Sequence, residues 1–175
     1  MQNVPSFEEL FRRTERTAVH LEMRDHYAIA SEAPDVAHWK ATGQANTDPD
    51  SAYWRPWVAI VHEAVGRGVV LRRARIVSES PTDYIRFEHA ITPLNLSIGE
   101  QVRWLPRNQA SDLALPGNDF WLFDGELVRF NHFTGDGDGA AVPFVDTDDP
   151  GVAKLCETAF DAVWERAVPH AQFEF

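Results

Sequence analysis

Cysteine is almost missing from this chain of 175 residues, where Cys156 stands alone. One cysteine excludes an internal disulfide and suits a reducing compartment, so the chain reads as cytoplasmic. Lysine is scarce too: only Lys40 and Lys154 occur, and the other basic residues are arginines. Sixteen basic residues against 27 acidic ones leave a net charge of −11. That balance argues against direct nucleic-acid binding, which needs a basic field. No apolar run approaches the roughly 20 residues of a membrane span. The opening stretch MQNVPSFEELFRRTERTA lacks the apolar centre of a signal peptide. Catalytic signatures are equally scarce, with no G-x-S-x-G, no G-x-G-x-x-G and no P-loop. None of the seven histidines forms an i, i+4 pair around a glutamate, which disfavours zinc. The GDGDG run lacks the further oxygen ligands of a calcium loop and reads as a solvated acidic turn. No metal or cofactor is expected.

What is present is the composition of an ordinary globular domain, 44% hydrophobic and 25% charged. One domain fits the length, read as an α/β core over 51–170 with residues 1–50 packed on it as an N-terminal extension. Ser6 with Glu9 forms a capping-box pattern ahead of Phe7, Leu10 and Phe11, and predicts a first helix. From Val19 onward, helix and strand are hard to separate. A short helix in PDVAHWKAT precedes a polar loop. The spacing of Trp54, Trp57, Val58, Val61 and Val65 predicts a helix ending at Gly66, and GVVLRRARIVSE then reads as a strand. Ser80 and Pro81 suggest the start of a helix through Tyr84, Phe87, Glu88 and Ile91, followed by the strand EQVRWLP. DFWLF and ELVRFNHF flank Asp124-Gly125, a hairpin signal. TGDGDGAAVPFVDTDD reads as an acidic, flexible loop. Val152, Leu155, Cys156, Ala159, Phe160, Val163 and Trp164 stripe a closing amphipathic helix, with Cys156 as inert core. The fold class is thus α/β or α+β, a mixed sheet covered by helices.

Two groups of residues stand out. On an extended strand Arg73 and Arg75 point to one side and Arg72 to the other. Arginines facing a covering helix need carboxylates or an anion, and Glu22, Asp25 and Glu88 are candidates. An ion-pair network is the simpler reading and an anion site the sharper one. Six tryptophans form the second group. Trp57 and Trp164 read as core, whereas Trp54 and Trp104 sit near element ends, where an indole can line a pocket.

The segments HLEMRDHYA, VVLRRARIVSE, VRWLPR, LPGNDFWLFD, GDG and FDAVWERAVPH together resemble an actinobacterial family of domains of unknown function. Its genes commonly sit beside XRE-type helix-turn-helix regulators. More distantly, the order of elements resembles one half of a phospholipase D-like domain, whose signature is H-x-K-x4-D. With Asp124 as the aspartate, Asp119 falls at the lysine and Gly117 at the histidine, so the nucleophile and its lysine are both absent. The resemblance implies a dismantled catalytic centre.

The resulting expectation is a non-catalytic regulatory or sensor module. Its partner would be a helix-turn-helix regulator, a small anionic ligand, or both. Candidate ligand contacts are Arg73, Arg75, Arg103, Asp25, Tyr84, Glu88, Asn118, Asp119 and Asp124. A homodimer is implied by the way phospholipase D-like halves pair. The alternatives are an enzyme acting on a phosphorylated or nucleotide substrate through Asp119 and Asp124, and one half of a toxin–antitoxin-like pair.

Overall fold

The computed structural model describes residues 4–175. At its start the Ser6 hydroxyl accepts the Glu9 N–H at 3.1 Å, and the Glu9 carboxylate accepts the Ser6 N–H at 2.7 Å. This reciprocal cap satisfies two otherwise orphaned donors and starts α1 (Phe7–Arg13). Strand β1 (Thr17–Glu22) follows, then α2 (Ala33–Thr42), α3 (Arg55–Gly66) and β2 (Val70–Val77). Pro56 lies in the first turn of α3, where its missing N–H costs nothing. α4 (Asp83–Ser97) leads to β3 (Gln101–Pro106). The chain then crosses back to β4 (Phe120–Phe123), β5 (Leu127–Phe133) and β6 (Gly139–Thr147), and ends with α5 (Pro150–Arg166) and the short β7 (Val168–Pro169).

One seven-stranded sheet results, in the order β6-β5-β4-β1-β2-β3-β7. β1, β2 and β3 are parallel, while β4 and β5 run antiparallel to their neighbours. Helices cover both faces. α5 packs Cys156, Phe160 and Val163 onto Val19, Leu21, Ala74 and Ile76. The opposite face carries α3 and α4 over residues such as Leu71, Trp104 and Trp121. The period of two along β2 therefore divides Ala74 and Ile76 from Leu71, Arg73, Arg75 and Val77. The expected α/β class, a mixed sheet covered by helices, is what the chain adopts.

Some expectations need correction. Residues 1–50 are not an extension on a finished core, because β1 is the middle strand of the sheet, although α1 and α2 are the helices anticipated there. The acidic loop after the hairpin holds β6, an edge strand of the sheet among the described residues, with Pro143 beside the register shift opposite Asn131 and Phe133. α4 is capped by Thr82, whose hydroxyl accepts the Ile85 N–H, while Ser80 takes a left-handed φ of 61° in the preceding turn. α3 does end at Gly66 as expected, with the left-handed turn two residues on at Gly68 (φ 93°).

The hairpin turn is as expected. Asp124 and Gly125 both have positive φ, 53° and 75°, matching the twist of the flanking strands.

Candidate functional site

The chain leaves β1 toward β2 on one side and returns to β4 on the other, a topological switch where α/β sheets commonly hold ligands. His20 and Glu22 of β1 and Arg73 and Arg75 of β2 sit at alternating positions and face the same side, under α3 and α4. Trp57 reaches in from α3, and Glu88 and Asn95 from α4. The segment after β1 supplies Tyr27 and Glu32, and Asp119 arrives just before β4. These groups surround a cavity of about 500 Å³. Ile29, Ser31 and Pro56 are its exposed wall residues and mark the mouth.

The floor is a chain of charged hydrogen bonds. Arg73 donates from Nε to Glu100 at 3.1 Å and from Nη1 to Glu22 at 2.6 Å. Arg75 donates from Nε to the other Glu22 oxygen and from Nη1 to Thr92 at 3.0 Å, and its Nη2 pairs with Glu88 at 2.5 Å. Both guanidiniums also lie against indoles, Arg73 over Trp121 at 5.5 Å and Arg75 over Trp104 at 5.0 Å. Glu100 accepts further bonds from Trp57 and Asn95. Beside this network, Glu32 accepts from Tyr84 at 2.6 Å and Tyr53 at 2.8 Å. Asp119 accepts the Met23 N–H at 2.8 Å and the Tyr27 hydroxyl.

Burial and charge divide these carboxyls into two classes. Burial works against ionised Glu22, but Arg75 and Arg73 outweigh it and hold the carboxyl well below its usual range. Glu88 goes the other way. Burial pushes it up to about 7, opposed by Arg75 and reinforced by Glu22 and Glu32. Asp119 is pushed up to about 6 by burial, with the Tyr27 hydrogen bond opposing. Glu32 is also raised by burial. His20 is driven down to about 3 by burial, so its ring is neutral, stacked on Trp121 at 4.2 Å.

The structure brings together Arg73, Arg75, Tyr84, Glu88 and Asp119 of the residues expected to meet a ligand. The other four lie elsewhere. Arg103 faces α5, donating to the Trp164 carbonyl at 2.9 Å and stacking over that indole at 4.5 Å. Asp25 accepts from the backbone and hydroxyl of Ser78 and pairs with Arg107. Asn118 is exposed. Asp124 accepts the N–H groups of Glu15, Arg16 and Thr17 at 2.7–2.9 Å and ties the α1–β1 loop to the hairpin. Burial opposes its charge, but the three N–H groups prevail and keep its carboxyl below the ordinary range.

Asp119 and Asp124 lie at opposite ends of β4, about 17 Å apart at the rise of an extended chain. Two carboxylates so separated do not act on one substrate atom, so the paired-carboxylate arrangement is not formed. Of the tryptophans, Trp54 does line the cavity, whereas Trp104 is fully buried and stacks on Phe173. Sequence reasoning missed His20, Tyr27, Glu32, Tyr53, Asn95, Glu100 and Asn131 as parts of the site. One signal was available: His20 and Glu22 are polar residues continuing the alternation of a buried strand. Glu32 and Tyr53 come from segments with no periodicity to read.

Comparison with solved structures finds distant likenesses. One is the archaeal chromatin protein TrmBL2, described as showing a novel mode of DNA binding, at 13% identity and a TM-score of 0.46. That match covers 91% of this chain and 47% of the other, so the present chain spans about half of that protein. Another is Nuc from Salmonella typhimurium, a phospholipase D family member, at 9% identity and a TM-score of 0.48, covering 93% and 86% of the two chains. No curated protein sequence matches. Over residues 5–174 the chain matches DUF6879, a domain of unknown function, and it belongs to that family.

Proposed function

We propose that this domain is a non-catalytic sensor module whose cavity receives a small molecule and whose output is a contact with a helix-turn-helix transcription regulator. The observation that carries the ligand half is the cavity itself. A 500 Å³ space beside the sheet's switch point, walled by aromatics and a few converging polar groups, has the character of a small-molecule site. Support for the non-catalytic half comes from the positions of the acidic residues. Asp124 is committed to a loop and is remote from Asp119, and the sequence carries neither histidine nor lysine at the phospholipase D positions. The regulator half rests on the resemblance to an actinobacterial family whose genes neighbour XRE-type regulators.

The test is a titration of the purified chain with the helix-turn-helix protein encoded beside it, followed by sedimentation. A complex of defined stoichiometry is expected. Metal-dependent phosphodiesterase or phosphatase turnover that Asp119→Asn abolishes would replace the sensor with an enzyme. The same sedimentation run, without the regulator, reads the expected homodimer directly.

A further inference from the structure

The chemistry of the cavity wall is lopsided. Two guanidiniums, Arg73 and Arg75, share the wall with four carboxyl groups, Glu22, Glu32, Glu88 and Asp119, and Arg73 also pairs with Glu100. Every nitrogen of Arg75 already has an acceptor, and Arg73 is clamped between Glu22 and Glu100. Arg24, whose charge reaches Asp119, is engaged with the Thr134 carbonyl and the Phe133 ring. An incoming anion would find only Arg73 Nη2 uncommitted, and would face the surplus acids around it.

A second feature is independent of charge. Asn95 and Asn131 line the cavity, are 3% and 7% exposed, and each has a side-chain carbonyl with no hydrogen-bond partner among the described residues. Asn95 cannot be turned over to hide its orphan. Its amide N–H donates to Glu100 at 2.9 Å, and the carboxylate can only accept. The Asn131 amide nitrogen lies 3.4 Å from Nε2 of neutral His20, whose Nδ1 stands 3.3 Å from Glu22 without a hydrogen bond. Buried acceptors without donors are costly, and a ligand rich in N–H groups would satisfy them. Around these acceptors stand Tyr27, Tyr53 and Trp54, aromatic groups that attract a cation and accept an apolar frame, beside Trp57 and Phe133, whose rings already carry Arg73 and Arg24.

We infer that the cavity takes a small organic cation, an ammonium or amidinium/guanidinium group carried on an apolar or aromatic frame, with its N–H groups directed to the Asn95 and Asn131 carbonyls and to the acids Glu32 and Asp119. The inference rests on the sensor-module reading and gives its ligand a chemical class, opposite in charge to the anion anticipated from the arginines alone.

Three probes of one shape and different charge separate the outcomes: benzamidine, benzamide and benzoate, titrated into the wild-type chain at pH 7 by calorimetry. Chemical shifts of the Trp54 and Trp57 indole N–H groups report the location. Benzamidine is expected to bind at least about tenfold more tightly than benzamide, with benzoate weaker still. In Glu32→Gln, checked for folding by circular dichroism, the benzamidine affinity should fall while benzamide is unchanged. Benzamide or benzoate binding as tightly as benzamidine overturns the cation assignment and leaves the cavity a ligand site. If none of the three reaches saturation at millimolar concentration, the small-molecule sensor reading falls with it.

Discussion

Replacing Glu22 by glutamine should destabilise this protein far more than the same change at Glu88, although both carboxyls are buried against Arg75. Glu22 bridges two guanidiniums that are 9% and 4% exposed, and it stays ionised because they face it. Removing its charge leaves two buried cations with their central partner gone, a loss of about 3–5 kcal/mol in comparable networks. Glu88, with its carboxyl pushed up to about 7, is already half protonated at neutral pH. Its amide counterpart keeps the shape and gives up only part of a charge-assisted bond, about 1 kcal/mol. In a chain of this size that contrast is roughly 6–20 °C in Tm for Glu22→Gln against about 2–4 °C for Glu88→Gln.

Urea denaturation at pH 7, with m-values checked for constancy, measures both changes. The double variant sharpens the test. Without Glu22, the Glu88 carboxyl becomes the main partner of Arg75 and ionises fully, so Glu88→Gln should cost more in the Glu22→Gln background than alone. Equal single losses, or strict additivity, would refute the reasoning that Glu22 holds the charge and Glu88 the proton.

Glu88 and Asp119 hold protons in the folded state well above the range in which the unfolded chain releases them, so their contribution to stability shrinks as pH rises from about 4 to 7. His20, His89 and His170, kept neutral by burial, act in the opposite sense. Denaturation of wild type and Glu88→Gln side by side isolates the Glu88 part, and the wild type's advantage over the variant should shrink as pH rises through that window. Below about 4 stability falls as pH falls, since Glu22 is ionised in the fold and protonation of the unfolded chain draws the equilibrium away. Asp124→Ala should cost about 2–3 kcal/mol through three lost backbone contacts, yet leave benzamidine binding unchanged, because the hairpin turn lies at the far end of β4 from the cavity. Phe160→Ala, which empties a 1% exposed position between α5 and the sheet, should cost about 3–5 kcal/mol in the same denaturation assay. Benzamidine bound near Glu88 and Asp119 favours their ionised forms, so calorimetry in buffers of different ionisation enthalpy should detect proton release at pH 6–7.

Much of the architecture was written in local patterns. The capping box at Ser6, the stripe from Val152 to Trp164, the β-branched run at β2 and the Asp124-Gly125 turn each depend on residues a few positions apart. Chain geometry alone therefore decided them. Alternation also put Arg73 and Arg75 on one side of a strand, with Glu22 and Glu88 among their available partners. What the tertiary structure alone decided is long-range. It put Thr17–Glu22 at the centre of the sheet and seated Gly139–Thr147 at its edge, through pairing that leaves no mark within either segment. It also chose Glu100 over Asp25 for Arg73, and drew Glu32, Tyr53, Asn95 and Asn131 to the same cavity from four separate segments. A ligand site's charge is a sum over every group that folding brings near it. The sequence therefore determined that arginines would be buried, and only the fold decided that acids would outnumber them there.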